Sequence, residues 1–579
     1  MTKNTDLSST SFAIDTEVFS SDHLDHDCDH QRLIEAYFKQ LESFGNTLAF
    51  ENFKNGAWQG ITYADLIETS KKISNYYIQL GLQPGDKVAI LSNSNNYYPA
   101  LLLACLYSGV TAVPLDVMLS EAELSNILLH AEPKLILASE NHFELASRIV
   151  SRETQQIPDF KAVQIEHIEY EIQNKQPLLT PGLRQIKSPA IITYTSGTTG
   201  SPKGVMISYK NLLYEIQGLR KRFGTEKKIF LSILPMNHLF ELSGGILAPL
   251  TTGATIHFAN TTNAFLIMKY IKEKKVNRIL AVPLILEMFH FGIQREITKL
   301  SPWRQTLLKI MMQALYWIPI VSLKRFVFKK INKAFGDDKI SFVVGGAKLS
   351  PRIFNFFTTL GFEIFNGYGL TETSPVITVN GPSTRKAHSE GRPLDQSEIK
   401  IVKNSDDDLD GVIFAKGPNL MMGYYKNKNL TDAVFSDGWF NTGDIGRIDR
   451  NGFLYITGRE KNLIVLKGGK KIHPEEVELA LSKDAFIKEI CVLPYKTKDA
   501  EPEEHVAAVI VPTDEIISEF AGDMTKIKPL LLQRLQVYRS ELASYKWPKY
   551  ITIRTTPLPK TTTNKIKRSL LLDSHFDNQ

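Results

Sequence analysis

Short apolar runs alternate with longer amphipathic stretches along most of this chain. The runs at 87–91, 134–138, 229–234 and 340–344 predict buried strands, because each is an apolar segment of strand length. Residues 122–130 carry apolar positions at helical spacing and predict one of the intervening helices. Strands that alternate with helices are typical of a mostly parallel sheet with helices on its faces, so the pattern predicts an α/β fold.

The chain is 579 residues long, which is too many for one hydrophobic core and predicts at least two domains. The composition shifts near Gly458, and two apolar segments (487–493 and 506–511) and a helical stretch (530–543) follow. These elements suffice for a small α+β domain. The predicted division is a flexible extension at 1–30, a large N-terminal domain at 31–458 and a small C-terminal domain at 459–579.

Composition narrows the class of protein. The formal net charge of +6 is small for this length and does not favour nucleic-acid binding. The only cysteines are Cys28, Cys105 and Cys491, which argues against a disulfide framework and for a reducing compartment. Residues 1–29 are polar and acidic, unlike a signal peptide, and the apolar stretch 99–115 is interrupted by serine, glycine and proline. We therefore expect a cytoplasmic protein.

The densest polar motif follows an apolar run and reads Tyr-Thr-Ser-Gly-Thr-Thr-Gly-Ser-Pro-Lys-Gly over residues 194–204. Glycine lets backbone N–H groups approach an anion, hydroxyl groups add donors, and Lys203 adds a mobile charge. The motif lacks Walker A spacing, and composition alone fits a phosphate-binding loop or a polar surface loop equally well. The candidate phosphate ligands are Thr195, Ser196, Gly197, Thr198, Thr199, Gly200 and Lys203.

The residue order of this motif resembles the signature of the adenylate-forming superfamily: acyl- and aryl-CoA synthetases, luciferases and peptide-synthetase adenylation domains. Partner motifs follow in the family's order, at 366–373, 438–444, 458–459 and 557–568. The resemblance covers about residues 35–570. It implies a large α/β domain with mostly parallel sheets and a small mobile α+β lid domain. It also implies that a carboxylate attacks the α-phosphate of ATP and that a thiol then displaces AMP.

The resemblance also implies the nucleotide site. Tyr368 would offer a flat face to adenine, and Asp444, assisted by Arg459, would accept the ribose hydroxyls. Thr371 would donate to the α-phosphate, and Glu372 would hold Mg²⁺, a cation that prefers carboxylate and phosphate oxygens. Thr198 is a second candidate for the metal. The remaining implied contacts are Gly345, Gly346, Ala347, Asn366, Gly367 and Gly369.

Two further motifs concern the binding of the acid substrate and the position of the catalytic lysine. His238 lies in a segment that resembles the family's P-x-x-H and would orient the acyl group, although Phe240-Glu241-Leu242-Ser243 also resembles the F-D-x-S of amino-acid adenylation domains. Lys565 falls on the catalytic lysine, with Asn564 where glycine is usual. Asparagine is the next-best residue for a left-handed backbone, so the substitution is compatible with activity.

The resemblance further implies that the small domain swings about a hinge near Lys461 once the acyl-adenylate has formed. This movement would remove Lys565 and bring Gly468, Gly469 and Lys471 to the active site, where they would admit coenzyme A.

Two features point to a long acyl chain. The sequence of the predicted hinge region, residues 458–470, resembles that of long-chain acyl-CoA synthetases. Residues 303–335 contain no acidic residue and interleave basic with apolar and aromatic side chains, which suits the inner face of a membrane. A helix pair packed on the core with a basic outer face explains the same pattern. The basic residues are Arg304, Lys309, Lys324, Arg325, Lys329, Lys330 and Lys333.

Three functions remain open at this level. The first is a long-chain fatty acid:CoA ligase that uses ATP, Mg²⁺ and coenzyme A. The second is an enzyme that loads the acyl group onto an acyl carrier protein. The third is a catalytically silent lipid-binding scaffold, against which the complete set of motif residues argues.

Overall fold

The structure, a computed structural model, describes most of the chain. Of the predicted site residues, Ser196, Gly197, Thr198, Thr199, Gly200, Gly468, Gly469 and Lys565 lie outside the described residues, as do residues 1–29. The described ranges are 30–54, 56–195, 202–261, 263–336, 339–403, 405, 408–466, 470–496, 504–560 and 566–572.

The strands are grouped into several sheets. In chain order they are β1 (Leu48–Lys54), β2 (Ala57–Thr62), β3 (Lys87–Leu91), β4 (Thr111–Leu115), β5 (Leu135–Ala138), β6 (Lys161–Gln164), β7 (Pro189–Thr195), β8 (Lys203–Ser208), β9 (Ile229–Ser232), β10 (Thr255–Phe258), β11 (Arg278–Ala281), β12 (Ser341–Val344), β13 (Glu363–Tyr368), β14 (Thr378–Val379), β15 (Arg392–Pro393), β16 (Glu398–Val402), β17 (Gly411–Lys416), β18 (Gly423–Tyr424), β19 (Phe435–Ser436), β20 (Trp439–Ile448), β21 (Leu454–Arg459), β22 (Ile464–Val465), β23 (Lys471–Ile472), β24 (Ile487–Lys496), β25 (Glu504–Pro512) and β26 (Tyr550–Ile553).

Helices connect most of these strands. They are α1 (His30–Glu42), α2 (Tyr63–Gln79), α3 (Tyr97–Ser108), α4 (Glu121–Ala131), α5 (Glu140–Glu153), α6 (Ile165–Ile172), α7 (Tyr209–Phe223), α8 (Ala248–Leu250), α9 (Ala264–Lys274), α10 (Pro283–Thr298), α11 (Pro302–Tyr316), α12 (Val321–Val327), α13 (Lys329–Ala334), α14 (Pro351–Thr359), α15 (Lys428–Val434), α16 (Pro474–Leu481), α17 (Asp514–Glu519) and α18 (Met524–Leu535). A π-helix spans Phe240–Leu247, and short 3₁₀ turns include Thr371–Thr373 and Glu460–Asn462.

Two large sheets carry the first three quarters of the fold. One has nine strands in the order β15-β14-β13-β12-β11-β9-β10-β1-β2, and its central strands from β13 to β1 are parallel. The other has seven strands in the order β18-β8-β7-β4-β3-β5-β6, with β8 and β18 antiparallel to their neighbours. The main core joins side chains of both sheets, such as Ile90 and Ile256. The predicted α/β class with mostly parallel sheets is confirmed.

Three smaller sheets follow. A five-stranded antiparallel sheet contains β16, β17, β19, β20 and β21 and leads into the predicted hinge. Beyond it, β22 pairs with β23, and β24, β25 and β26 form a three-stranded sheet with its own apolar core, as predicted for an α+β unit.

Some predicted element boundaries are wrong. The strand predicted at 229–234 ends at Ser232, where its register with β10 ends, and the Pro235 carbonyl then accepts from the His238 N–H in a turn. The helix predicted at 530–543 is α18, which starts earlier because Asp523 caps its N-terminus, and it gives way to a 3₁₀ turn after Leu535. The apolar stretch 99–115 contains most of α3, a left-handed Gly109 and strand β4.

Residues 302–334 form the three short helices α11, α12 and α13 rather than a helix pair. Their outer side exposes large apolar groups: Trp303 is 63% exposed, Trp317 81% and Phe326 76%. Lys324 differs from the expectation of a surface charge, because it is buried and donates from Nζ to the Thr358 carbonyl at 3.3 Å. Within the described ranges, no helix combines the length and apolar character needed to cross a bilayer.

Candidate active site

The two ends of the polar motif at 194–204 are held together by a hairpin. β7 and β8 are antiparallel, and Thr195 pairs with Lys203 in their register. β18 covers the other side of β8, where the Tyr425 N–H donates to the Gly204 carbonyl at 2.7 Å. The structure therefore fixes both ends of the loop, whose Ser196–Gly200 ligands lie outside the described residues.

A histidine from another helix supports this hairpin. His130 in α4 is hydrogen-bonded through Nδ1 to the Tyr194 hydroxyl at 2.9 Å, and the two rings meet edge to face. Burial, and then the nearby Lys426 ammonium, lower the pKa of His130, so its ring is neutral at pH 7. A neutral imidazole fixes Tyr194 without adding charge beside the loop.

The predicted ribose-binding residues are brought together on adjacent strands. Asp444 on β20 pairs in register with Arg459 on β21, and their side chains form an ion pair at 2.9 Å between Oδ1 and Nε. The Tyr368 hydroxyl at the end of β13 donates to Asp444 Oδ2 at 2.8 Å. Burial, and then the Asp444 carboxylate, raise the pKa of Tyr368, so this hydroxyl stays protonated. The Asp444 carboxylate is thus fixed on both oxygens.

Glu372 lies in the 3₁₀ turn that follows β13. The hydroxyl of Tyr424, on β18, donates to Glu372 Oε1 at 2.8 Å. The backbone before this turn is tightly packed, since a Cβ on Gly369 would lie 1.9 Å from the Pro375 carbonyl oxygen. Thr371, in the same turn, is half-buried. The carboxylate is therefore oriented by a strand that also borders the phosphate hairpin.

The predicted adenine wall lies at the carboxyl end of β12, where ligands bind in open parallel sheets. Gly346 adopts φ +81°, and a Cβ on Gly345 would lie 3.1 Å from the Phe240 ring. On the next strand, Asn366 is buried, and its Oδ1 has no hydrogen-bond partner among the described residues. A ligand can approach the Gly345–Gly346 backbone closely, and Asn366 Oδ1 is a buried acceptor. Both features fit a flat heterocycle that donates hydrogen bonds. Ala347, Gly367 and Gly369 flank these positions in sequence.

His238 lies at the entry to the π-helix, where its carbonyl accepts from the N–H groups of Glu241 and Leu242. Phe240 of the same segment packs against Gly345, so the predicted acyl and adenine segments meet. π-helical turns occur often at functional sites. This one follows β9, at the same edge of the sheet as Gly345.

Glu241 is a buried carboxylic acid in this π-helix. It is 1% exposed, and its Oε2 has no hydrogen-bond partner within the described part of the chain. Burial raises the pKa of Glu241 to about 8, although the Ser232 hydroxyl opposes the shift. A neutral carboxyl is a poor partner for a substrate ammonium, so this group favours an acid substrate without an ammonium group over an amino acid.

The predicted hinge lies against the same site. Burial, and then Arg459 and Lys203, lower the pKa of Lys461, whereas Asp444 raises it. Lys461 is thus close to both the phosphate hairpin and the ribose-binding residues. Lys471, predicted to meet coenzyme A, is instead in an ion pair with Asp408 at 3.6 Å.

Sequence reasoning missed several of these residues. Tyr424 and His130 belong to no recognised motif, and their contacts join segments 52 and 64 residues apart. For Lys461 the sequence predicts a hinge position and no contact with the nucleotide site. A Gly-Tyr-Tyr run at 423–425 is the one local signal that could have drawn attention to Tyr424.

Comparison with known proteins places this site in a family. The family model described as AMP-binding enzyme matches residues 37–425. The long-chain-fatty-acid–CoA ligase FadD15 of Mycobacterium bovis is 27% identical over 501 residues, covering 82% of this chain and 81% of that protein. A chloroplastic long-chain-fatty-acid–[acyl-carrier-protein] ligase of Arabidopsis thaliana is 30% identical over 449 residues, covering 66% of this chain and 60% of that protein.

The fold also matches a solved structure. The o-succinylbenzoate CoA synthetase of Bacillus subtilis, in complex with its acyl-adenylate intermediate, superposes with a TM-score of 0.73 at 25% identity. The alignment covers 94% of this chain and 99% of that structure. That likeness includes both the large domain and the smaller C-terminal domain.

Proposed function

Because the chain belongs to the AMP-binding enzymes, a family of adenylate-forming ligases, we propose that its acid substrate is a long-chain fatty acid and its thiol acceptor coenzyme A. The observation that carries the proposal is the convergence of Tyr368, Asp444 and Arg459 beside Glu372 and the phosphate hairpin. The long-chain ligases among its relatives support the choice of acid.

The first step brings a carboxylate to a polyphosphate, so positive charge and precise placement lower its barrier. Asp444 and Arg459 would hold the ribose, the Gly345 turn and Tyr368 the adenine, and Thr195 and Lys203 the departing phosphates. Glu372, oriented by Tyr424, fits Mg²⁺, which would neutralise phosphate charge when bound. Lys565 would stabilise the oxygen that bridges acid and phosphorus, and His238 would orient the acyl group.

The acid is tested by measuring AMP release with palmitate, butyrate and 2-succinylbenzoate in the presence of coenzyme A. We expect the highest kcat/KM with palmitate. A higher value with butyrate or 2-succinylbenzoate would contradict the choice of acid. Lys565→Ala is the control, assayed by exchange of pyrophosphate into ATP. If this variant retains exchange, Lys565 has no role in the reaction. If the parent shows no exchange, a catalytically silent scaffold is favoured.

An acyl carrier protein is the alternative acceptor, because one of the relatives is an acyl-carrier-protein ligase. Coenzyme A and holo-acyl carrier protein are compared at equal thiol concentration, with the same acid. We expect faster transfer to coenzyme A. Faster loading of the carrier protein would reverse the assignment.

We also propose that the outer side of α11 to α13 binds the surface of an anionic membrane, where fatty acids partition. Exposed tryptophans suit the interfacial region, and the exposed Arg304, Lys309, Lys329 and Lys330 complement anionic headgroups. The buried Lys324 does not take part.

Vesicle co-sedimentation tests this surface. Neutralising Arg304, Lys309, Lys329 and Lys330 together should weaken binding to phosphatidylglycerol vesicles by about 1 kcal/mol per charge. The matched control neutralises four lysines elsewhere: Lys221, Lys428, Lys488 and Lys526. The proposal would be contradicted if the two variants bound anionic vesicles equally well. It would also be contradicted if the parent bound neutral and anionic vesicles equally well.

A further inference from the structure

The segment that leads to and from Lys565 is closed at its base. Lys560 and Ile566 form an isolated antiparallel bridge, and the Lys567 N–H donates to the Pro559 carbonyl at 2.8 Å. Leu558 is buried in a small apolar cluster on the β24–β25 sheet, against which Ile566 packs. The two described ends of the segment therefore sit on this sheet.

Side-chain contacts anchor each end separately. On the near end, Glu489 of β24 accepts from Lys560 Nζ at 2.7 Å and from the Leu558 N–H at 2.8 Å. On the far end, the Arg568 guanidinium donates to both carboxylate oxygens of Glu478 at 2.7 and 2.9 Å. It also donates to the Val492 carbonyl at 2.6 Å.

The far anchor is the more constrained of the two. Glu478 is on α16 and also accepts from the Val492 N–H at 2.7 Å, so one carboxylate joins helix, strand and guanidinium. A bidentate arginine–carboxylate pair fixes orientation as well as distance. Arg568 lies three residues after Lys565 in the chain, so this pair fixes the described chain that follows Lys565.

A lysine at each end also interacts electrostatically with a carboxylate of the large domain. Lys567 interacts electrostatically with Glu123 of α4, the helix that also carries the loop-supporting His130. Lys560 interacts in the same way with Glu287 of α10. The two described ends of the segment are therefore within electrostatic range of carboxylates of the large domain.

We propose that Arg568 and Glu478 are positioning residues for the adenylation step, which hold in place the chain that follows Lys565. This inference rests on the proposed function and on Lys565 as its catalytic lysine. Lys565 is implied to act only while acyl-adenylate forms and to leave before the thiol attacks. Loss of the anchor should therefore slow the first half-reaction selectively, because a small misplacement of a catalytic group costs rate steeply.

The test separates the two half-reactions of the full-length protein. Adenylation is measured as palmitate-dependent exchange of pyrophosphate into ATP, and thioester formation as palmitoyl-CoA made from chemically prepared palmitoyl-adenylate. We expect Arg568→Lys and Glu478→Gln each to lower exchange about tenfold or more, with thioester formation within about twofold of the parent.

A partly buried ion pair elsewhere in the same domain is the matched control. Arg534 Nε donates to both oxygens of Asp484 at 3.1 Å, and Asp484 is 3% exposed. Arg534→Lys and Asp484→Asn should not slow exchange selectively. Equal loss of both half-reactions in the Arg568 and Glu478 variants, no loss, or the same selectivity in the control pair would overturn the inference.

Lys565→Ala distinguishes failure of the inference from failure of the proposed function. If this variant retains exchange, the anchor has no catalytic lysine to position and the inference falls. If the parent shows no exchange with palmitate or the other acids, the proposed function falls as well. A melting temperature recorded for each variant identifies unfolding, and Glu478→Gln, which keeps the size of the side chain, remains informative if Arg568→Lys is unstable.

Discussion

Tyr424 is the individual side chain from which we expect the clearest effect on metal use. Its hydroxyl donates to Glu372 Oε1, so Tyr424→Phe leaves the proposed Mg²⁺ ligand without its orienting partner. Loss of such a supporting contact typically weakens metal binding about tenfold to a hundredfold. We expect the Mg²⁺ concentration for half-maximal pyrophosphate exchange to rise by about that factor.

The neighbouring Tyr425→Phe is the control for this change, since the Tyr425 ring instead meets the His130 ring edge to face and lies under the Lys87 ammonium. An unchanged Mg²⁺ midpoint in Tyr424→Phe, or an equal shift in both variants, would show that Glu372 does not depend on Tyr424.

Glu241 predicts a pH dependence of stability. Its pKa is about 8 in the folded protein, against an ordinary value near 4.5, so the folded state binds the extra proton between these values. Stability should therefore fall as pH rises from about 5 to 8, by at most about 1.4 kcal/mol per pH unit from this group. Denaturant unfolding at several pH values should give a flatter profile for Glu241→Gln. The exposed Glu68→Gln should retain the parental slope.

Among the structural elements, the β7–β8 hairpin carries the next prediction. His130 and Tyr194 hold its base through one hydrogen bond, whose loss costs about 1 kcal/mol, or about fivefold in an equilibrium constant. We expect Tyr194→Phe and His130→Ala each to raise the KM for ATP by about this factor. Because both substitutions remove the same contact, the KM for ATP of the double variant should not exceed that of the single variant with the higher KM.

Steady-state kinetics with saturating acid measures these effects. Tyr97→Phe removes a tyrosine hydroxyl that bonds Glu169 at the surface and should leave the KM for ATP unchanged. Fully additive effects of the two hairpin substitutions would mean that His130 and Tyr194 act independently.

At the scale of the whole molecule, the arrangement of the two domains predicts how the half-reactions are balanced. Lys471 must leave Asp408 if it is to meet coenzyme A. The pair is partly exposed and is worth at most about 1 kcal/mol. Asp408→Asn should therefore raise the ratio of thioester formation to adenylation by up to about fivefold.

Measuring both half-reactions in one preparation gives this ratio directly. Asp410→Asn is the matched control, because Asp410 pairs with Arg447 at 3.0 Å within the large domain. A ratio that falls in Asp408→Asn, or that rises equally in both variants, would contradict a role for the Lys471–Asp408 pair in domain rearrangement.

Much of the fold follows from local pattern. Continuous apolar runs such as 87–91 gave strands close to those observed, because a strand buried on both faces needs apolar side chains at every position. Boundaries were less predictable: β9 ends at Ser232 because its pairing with β10 ends there, and Lys324 is buried because Thr358 offers it a carbonyl. These outcomes depend on partners that lie far away in the chain.

The sequence by itself determined the family and the chemistry expected of it, because each motif is short and its backbone geometry and functional groups are encoded locally. Only the tertiary structure decided which side chains meet: Tyr368 with Asp444, Tyr424 with Glu372, and Arg568 with Glu478. These partners are 76, 52 and 90 residues apart. Their contacts depend on how strands, helices and turns from distant parts of the chain pack together, and no local pattern fixes that packing because it results from the whole molecule.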